Sequence, residues 1–160
     1  MGVKKVSRLM SAAIAVVVFV GDQWTKSMVE RSIPEHAVIP IIPHVFNLTH
    51  VKNAGAAFGI FSDAPSPWKT AVLILISAGM LATVMALAWR NHRLHWEATV
   101  GLALILGGAL SNLVDRIRVG RVVDFLDFYY GSHHWYTFNL ADSAIVVGAG
   151  FLILQVLFAD

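Results

Sequence analysis

The stretch FNLADSAIVVGAGFLILQVLF, from Phe138 to Phe158, decides the fold because it contains a single charged residue, Asp142, near its start. A bilayer core about 30 Å thick is crossed by about 20 mostly apolar residues in a helix. This stretch therefore predicts a transmembrane helix that begins beside a carboxylate. Three further stretches are long and mostly apolar, although the first reaches spanning length only by including Asp22. The predicted transmembrane helices are residues 9–28, 68–89, 98–115 and 138–158.

The composition of the chain points to the same environment. Hydrophobic residues make up 57% of the 160 residues, charged residues make up 14%, and the mean hydropathy is +0.67. Soluble domains average about 45–50% apolar and about 25% charged residues, so a soluble enzyme is a poor fit. The net charge of +2 does not indicate a nucleic-acid partner, and the absence of Cys excludes disulfides and thiolate metal sites. We expect one integral membrane domain over residues 1–160, all-α in class.

The first long loop, residues 31–66, predicts a different local structure. The prolines of the chain cluster in and beside this loop, which makes helix unlikely over most of it. The segment from Val45 to Val51 is rich in β-branched residues with partial alternation. We therefore expect a small extracytoplasmic β-sheet formed by this loop and lying on the membrane surface.

Topology follows from the distribution of charge. Lys4, Lys5 and Arg8 precede the first apolar run, and no A-x-A-like cleavage site follows it, which favours a retained first helix. The raw count of Lys and Arg favours the opposite orientation, but their density and the short-loop rule place both termini in the cytoplasm. Eight of the ten acids then lie at or beyond the outer helix ends: Asp22, Glu30, Glu35, Asp63, Asp115, Asp124, Asp127 and Asp142.

Two acids in apolar surroundings are candidates for chemistry, since an ionisable group at membrane depth is costly. Asp142 lies at the start of the last helix, where helix capping with Asn139 is the simpler interpretation. Asp124 lies in RVVDFLDF, where it competes with Asp127 and where a surface ion pair with Arg118 or Arg121 is the simpler interpretation. If the two meet, close carboxylates share one proton and can hydrolyse a peptide bond.

Two other predicted helices also carry polar residues near their outer ends. Gly108, Asn112, Asp115 and Arg116 share one face of the third helix. Gly108 and its neighbour Gly107 allow close approach of another helix or of a substrate backbone. The simpler interpretation of this face is helix packing with an Asp115–Arg116 anchor.

In the first helix, Asp22 and Lys26 have the i, i+4 spacing of a local ion pair, which is the simpler interpretation of those two residues.

Other reaction classes fit the chain less well. No HExxH motif occurs, the histidines lack ligand spacing, and no metal or cofactor is expected. Ser111 has no His or Lys near it in the sequence to act as its general base.

Five motifs in order resemble the lipoprotein signal peptidase family, the bacterial signal peptidases II. They are DQWTK (22–26), NAGAAFG (53–59), GGALSNLVDR (107–116), VVDF (122–125) and FNLADSAI (138–145). The resemblance implies an aspartyl endopeptidase that cleaves prolipoproteins just before a diacylglyceryl-modified Cys. It implies a catalytic pair of Asp124 and Asp142. The substrate-binding or supporting positions would be Asp22, Lys26, Asn53, Gly55, Gly108, Asn112, Asp115, Arg116 and Asn139.

The family resemblance also implies a cellular location, an assembly state and an inhibitor. It implies a monomer in the bacterial cytoplasmic (inner) membrane, surrounded by lipid, with its active site near the outer face, and inhibition by the cyclic peptide globomycin. The main alternative from the residues is a small proton or ion carrier that uses intramembrane carboxylates. The absence of acids from the inner half of every predicted helix argues against conduction. A non-catalytic membrane or lipid-binding subunit is the third interpretation.

Overall fold

A computed structural model describes residues 8–55, 66–90 and 95–158 of the chain. It contains four long helices and four strands, in the order α1 (Arg8–Ser32), β1 (Val38–Ile42), β2 (Phe46–Asn53), α2 (Pro67–Arg90), α3 (Trp96–Val119), β3 (Val122–Tyr130), β4 (His133–His134) and α4 (Leu140–Phe158). Of the residues named above, Lys4, Lys5, Asp63 and residues 56–59 of the NAGAAFG segment lie outside the described residues.

All four helices are long and apolar enough to cross a membrane. Helix α3 is central, because it packs against each of the other three and is the most buried of them. Helix α2 buries Leu73, and its other described side chains are exposed or half-buried, as expected for a helix that faces lipid. The predicted class, a membrane protein of four helices with a small sheet, is confirmed.

Glycines set the spacing of the three helices that carry polar groups. A Cβ on Gly107 would lie 2.5 Å from the carbonyl oxygen of Ala15 in α1, and a Cβ on Gly108 would overlap the carbonyl oxygen of Ala141 in α4. Small residues at such positions let helix backbones approach closely. Of the two predicted roles for Gly108, the structure shows contact with a helix.

The sheet is larger than the sequence predicted. Its strand order is β1-β2-β3-β4 with antiparallel pairing throughout, so strands from the third loop join those from the first. The prediction of a sheet from the first loop alone was therefore incomplete. Strand β3 forms because Val122–Tyr130 is rich in β-branched and aromatic residues, which favour a pleated, half-buried surface.

Helix α1 extends four residues beyond its predicted end at residue 28. The reason is a small core in which Val29 and Ile33, at the end of the helix, pack against Val123 and Phe125 of β3. This packing holds the sheet over the end of the bundle. It thereby places β3 beside the C-terminal half of α1 and the start of α4.

Candidate active site

A polar cluster occupies the end of the bundle where the sheet lies. Its side chains come from the C-terminal halves of α1 and α3, the first turn of α4, the end of β2 and the start of β3. Asp124 and Asp142 both belong to it, although they are on different elements. The structure therefore brings together the two acids that the sequence singled out.

Asp124 lies on β3 with only 2% of its surface exposed. Its two oxygens accept hydrogen bonds from Asn139 Nδ2 at 2.7 Å and from Asn53 Nδ2 at 2.9 Å. Burial, followed by the negative charge of Asp142, raises the pKa of Asp124 to about 7, and the two amide donors oppose that shift. A carboxyl with such a pKa carries a proton in a large fraction of molecules at neutral pH.

Asp142 is the third residue of α4 and takes part in a reciprocal cap of that helix. Its backbone N–H donates to Asn139 Oδ1 at 2.9 Å, and its own Oδ2 accepts from the Asn139 backbone N–H at 3.3 Å. The capping interpretation is therefore correct, but it does not use the whole side chain. Oδ1 of Asp142 accepts a further bond from Asn112 Nδ2 at 2.8 Å, across the helix interface.

Asn139 joins the two acids directly. It is fully buried, its side-chain oxygen caps α4 at Asp142, and its side-chain nitrogen donates to Asp124. A single residue of the turn before α4 thus contacts both carboxyl groups. This arrangement holds two like-charged groups near each other in a place with little water, where both cannot readily be ionised.

Lys26 is buried at the α1–α3 interface and pairs with two acids. Its Nζ lies 2.6 Å from Oδ2 of Asp22 and 2.6 Å from Oδ2 of Asp115, and it donates to Asn112 Oδ1 at 2.8 Å. The predicted local pair of Asp22 and Lys26 is present. Asp115 faces α1, and among the described residues no ion pair within 4 Å joins it to Arg116.

Asp22 supports α4 from a different helix. Its Oδ1 accepts the backbone N–H of Ala141 at 2.8 Å, which is one of the N–H groups that a helix start leaves unsatisfied. Its Oδ2 accepts from Ser111 Oγ at 2.7 Å. A carboxylate at a helix N-terminus is also favoured by the helix dipole. Asp22 thus fixes the start of α4, and with it Asp142.

Gln23 and Ser111 belong to the same cluster, and neither was predicted to do so. Gln23 Nε2 donates to Asp115 Oδ1 at 2.7 Å and to Ser111 Oγ at 2.9 Å. Ser111 is fully buried and bonded to Asp22, so it is not placed to attack a substrate. The signal available in the sequence was the polar pair Asp22 and Gln23, which directly follows the mostly apolar run of the first helix.

Arg116 lies beside the acids without forming an ion pair within 4 Å among the described residues. Its guanidinium donates to two backbone oxygens, Gly55 O at 3.1 Å and Asn112 O at 3.3 Å. Gly55 in turn donates its N–H to Asn53 Oδ1 at 2.8 Å. The start of the NAGAAFG segment is therefore attached to both α3 and Asp124.

Asp127 is excluded from the cluster by the geometry of the strand. It is three residues from Asp124 on β3, so its side chain leaves the opposite face of the sheet. There it accepts from Asn47 Nδ2 at 2.8 Å and lies 2.9 Å from Nδ1 of His134. Among the described residues, no ion pair joins Asp124 to Arg118 or Arg121 either, and no group of His, Asp or Glu is arranged to hold a metal ion.

Comparisons with known proteins identify the family of the chain. The family model for signal peptidase (SPase) II matches residues 14–158. The lipoprotein signal peptidase of Solibacter usitatus is 42% identical over 144 residues, which is 90% of this chain and 88% of that protein. The lipoprotein signal peptidase of Nitratidesulfovibrio vulgaris is 44% identical over 138 residues, covering 85% of this chain and 82% of its own.

Solved structures show the same fold. A bacterial membrane enzyme determined by the in meso method at 2.3 Å resolution aligns with a TM-score of 0.86 and 30% identity, over 98% of this chain and 93% of its own. A second bacterial membrane enzyme, at 1.9 Å resolution, aligns with a TM-score of 0.82 and 30% identity over the full length of both chains. The chain is therefore a multi-pass membrane protein and belongs to the signal peptidase II family, a family of proteases.

Proposed function

We propose that Asp124 and Asp142 are the catalytic pair of an aspartyl endopeptidase that removes signal peptides from prolipoproteins, cleaving just before the diacylglyceryl-modified Cys. The observation that carries the proposal is the bonding of both carboxyl groups to one buried residue, Asn139. Family membership supports the substrate class. The chain needs no Cys of its own, because the modified Cys belongs to the substrate.

The chemistry follows from a pair that holds one proton. The ionised carboxylate takes a proton from a water molecule, whose oxygen forms a bond to the scissile carbonyl carbon. The protonated carboxyl donates to the carbonyl oxygen, and a tetrahedral intermediate forms. When the intermediate collapses, the first carboxyl gives its proton to the leaving nitrogen and the C–N bond breaks. One hydroxyl of the intermediate returns its proton to the second carboxylate, so the pair is again singly protonated.

The remaining polar residues have supporting roles in this proposal. Three asparagines, Asn53, Asn112 and Asn139, donate to the two carboxyl groups and stabilise the charged member. Arg116 has its guanidinium on a backbone oxygen of Gly55, so it is suited to hold a carbonyl of an extended substrate. Asp22, Lys26, Asp115 and Gly108 fix the three helices.

The site also suits a lipid-anchored substrate. In a bacterial inner membrane with both termini cytoplasmic, the ends of α1 and α3 and the start of α4 lie at the outer face. A diacylglyceryl group keeps its acyl chains in the outer leaflet, so the peptide bond before the modified Cys stays near that depth. We propose that one chain acts as a single integral membrane unit, that surrounding lipid contacts the exposed helix faces, and that globomycin competes for the same site.

The test is a gel-shift cleavage assay with lipidated and unlipidated prolipoprotein, using Asp124→Asn and Asp142→Asn. Each change keeps the shape of the side chain but removes a proton-exchanging group, so cleavage of the lipidated substrate should be lost while the protein remains folded. Asp127→Asn is the matched control, since that acid is also buried on β3 but lies on the opposite face. Cleavage at the unsubstituted rate by either site variant would contradict the catalytic pair.

A further inference from the structure

The three asparagines that donate to the carboxyl groups share a second property: each has its side-chain oxygen held by a separate donor. Asn53 Oδ1 accepts the backbone N–H of Gly55 at 2.8 Å, and Asn139 Oδ1 accepts the backbone N–H of Asp142 at 2.9 Å. These two holders belong to the main chain. They follow from local turn and capping geometry, and side-chain substitution leaves them in place.

The third asparagine, Asn112, is held by a side chain. Its Oδ1 accepts from Lys26 Nζ at 2.8 Å, while Asn139 Nδ2 makes only a long contact of 3.4 Å with that oxygen. An amide rotated by 180° exchanges its oxygen and nitrogen with little change in shape, so its neighbours decide the orientation. For Asn112, the neighbours that decide are Lys26 on one side and Asp142 on the other.

Lys26 permits only one orientation of that amide. An ammonium has three donors and no acceptor, and Lys26 uses all three on Asp22, Asp115 and Asn112. A rotated Asn112 would place its NH₂ group against the ammonium and its oxygen against the Asp142 carboxylate. Both contacts would be repulsive, and little water can relieve them because Lys26 and Asn112 are both buried.

We propose that Lys26 is a positioning residue for the cleavage reaction: its ammonium fixes the Asn112 amide so that the NH₂ group always faces Asp142. The inference rests on the proposed catalytic role of Asp142. Lys26 acts through Asn112 and does not contact the substrate. The charged groups that face this part of the site are Asp22 and Lys26 from α1, Asp115 and Arg116 from α3, and Asp124 from β3.

The proposal predicts a change in the pH profile of kcat. Without Lys26 the Asn112 amide can rotate, and the singly ionised pair of Asp124 and Asp142 then loses a hydrogen-bond donor. Because that donor stabilises the negative charge, the pair binds its second, inactivating proton at higher pH. The acidic limb of the profile should therefore move up by about one pH unit, the effect of one hydrogen bond to a charged group. Lys52→Met is the matched control, because Lys52 forms an exposed ion pair with Glu35, and it should leave the limb in place.

A double-mutant cycle separates action through Asn112 from a direct effect of charge. Lys26→Met is measured in the unsubstituted protein and in an Asn112→Ala background. If Lys26 acts through Asn112, the substitution moves the limb by less than about a third of a unit in that background, within the error of additivity. Equal shifts in both backgrounds, or none in either, would overturn the proposal. Lys26→Gln is used in the same cycle if Lys26→Met does not fold.

The same experiments distinguish failure of the Lys26 proposal from failure of the proposed catalytic pair. If Asp124→Asn and Asp142→Asn retain cleavage, the catalytic pair is wrong and the pH profile has another origin. If those variants are inactive and the cycle is additive, the catalytic pair stands and only the role of Lys26 is wrong.

Discussion

Replacement of Asp22 by Asn separates an acid that supports the site from the acids proposed to react. Asp22 is fully buried and has three partners: the Ala141 backbone N–H, the Ser111 hydroxyl and the Lys26 ammonium. An Asn keeps one acceptor for Ala141 but places an NH₂ group where the second oxygen received a hydroxyl and a cation. Asp22→Asn should therefore destabilise the protein while leaving the chemistry possible.

The magnitude follows from the contacts that are lost. A hydrogen bond to a charged group is worth about 1.5–3 kcal/mol, and two are lost at Oδ2. Lys26 keeps Asp115 and Asn112, so no buried charge is left without a partner. We expect destabilisation of about 3 kcal/mol, at the lower end of what breaking a buried pair costs.

Thermal unfolding followed by tryptophan fluorescence measures this effect, since the chain has five Trp and no Cys for a thiol dye. Cleavage by Asp22→Asn, assayed well below its unfolding temperature, should stay within about tenfold of the unsubstituted rate, because about 1.4 kcal/mol of lost positioning is tenfold. Complete loss of cleavage with an unchanged unfolding temperature would refute the assignment of Asp22 as a supporting residue.

Two further predictions use the packing and the protonation of the site. Gly108→Ala places a Cβ against the Ala141 backbone of α4, so it should lower both stability, by about 1–3 kcal/mol, and cleavage, whereas Gly79→Ala, which meets nothing within 4 Å, should change neither by much. The raised pKa of Asp124 means that the folded chain binds this proton more tightly than the unfolded chain, so its contribution to stability falls as pH rises from about 4 to about 7. The unfolding temperature of Asp124→Asn relative to the unsubstituted protein should therefore rise from pH 5 to pH 8, by an equivalent of about 2.5 kcal/mol, and a constant difference would contradict the shift.

Much of this architecture could be predicted from the sequence, because long apolar stretches and isolated charged residues within them are strong signals. The helix stretches, the depth shared by Asp22, Asp115 and Asp142, and the close approach at Gly107 all follow from local residue patterns. The choice of Asp124 over Asp127 did not, because composition around the two is alike. It depended on family resemblance, and the strand geometry of β3 now supplies a physical reason.

Other features depended on tertiary contacts that no local pattern specifies. Strand β3 had a β-rich signal, but its partner is β2, more than 60 residues earlier in the chain, so a sheet from the first loop alone seemed complete. The pairing of Asp115 with Lys26 and the placement of Gln23 depend on how α1 rotates against α3. That rotation is set by close contact at Gly107 and by the buried polar groups together.

The bond between Asp22 and the Ala141 N–H joins residues 119 positions apart, and it has a consequence for biosynthesis. A nascent chain that has inserted α1, α2 and α3 carries Asp22, Lys26 and Asp115 but still lacks Asn139 and Asp142. Its polar groups remain incompletely satisfied in a lipid environment, where each such group costs free energy. With Asp142 in its proposed catalytic role, peptidase activity begins only after the last helix has entered the membrane, and prematurely terminated chains should be inactive and readily recognised by quality-control proteases.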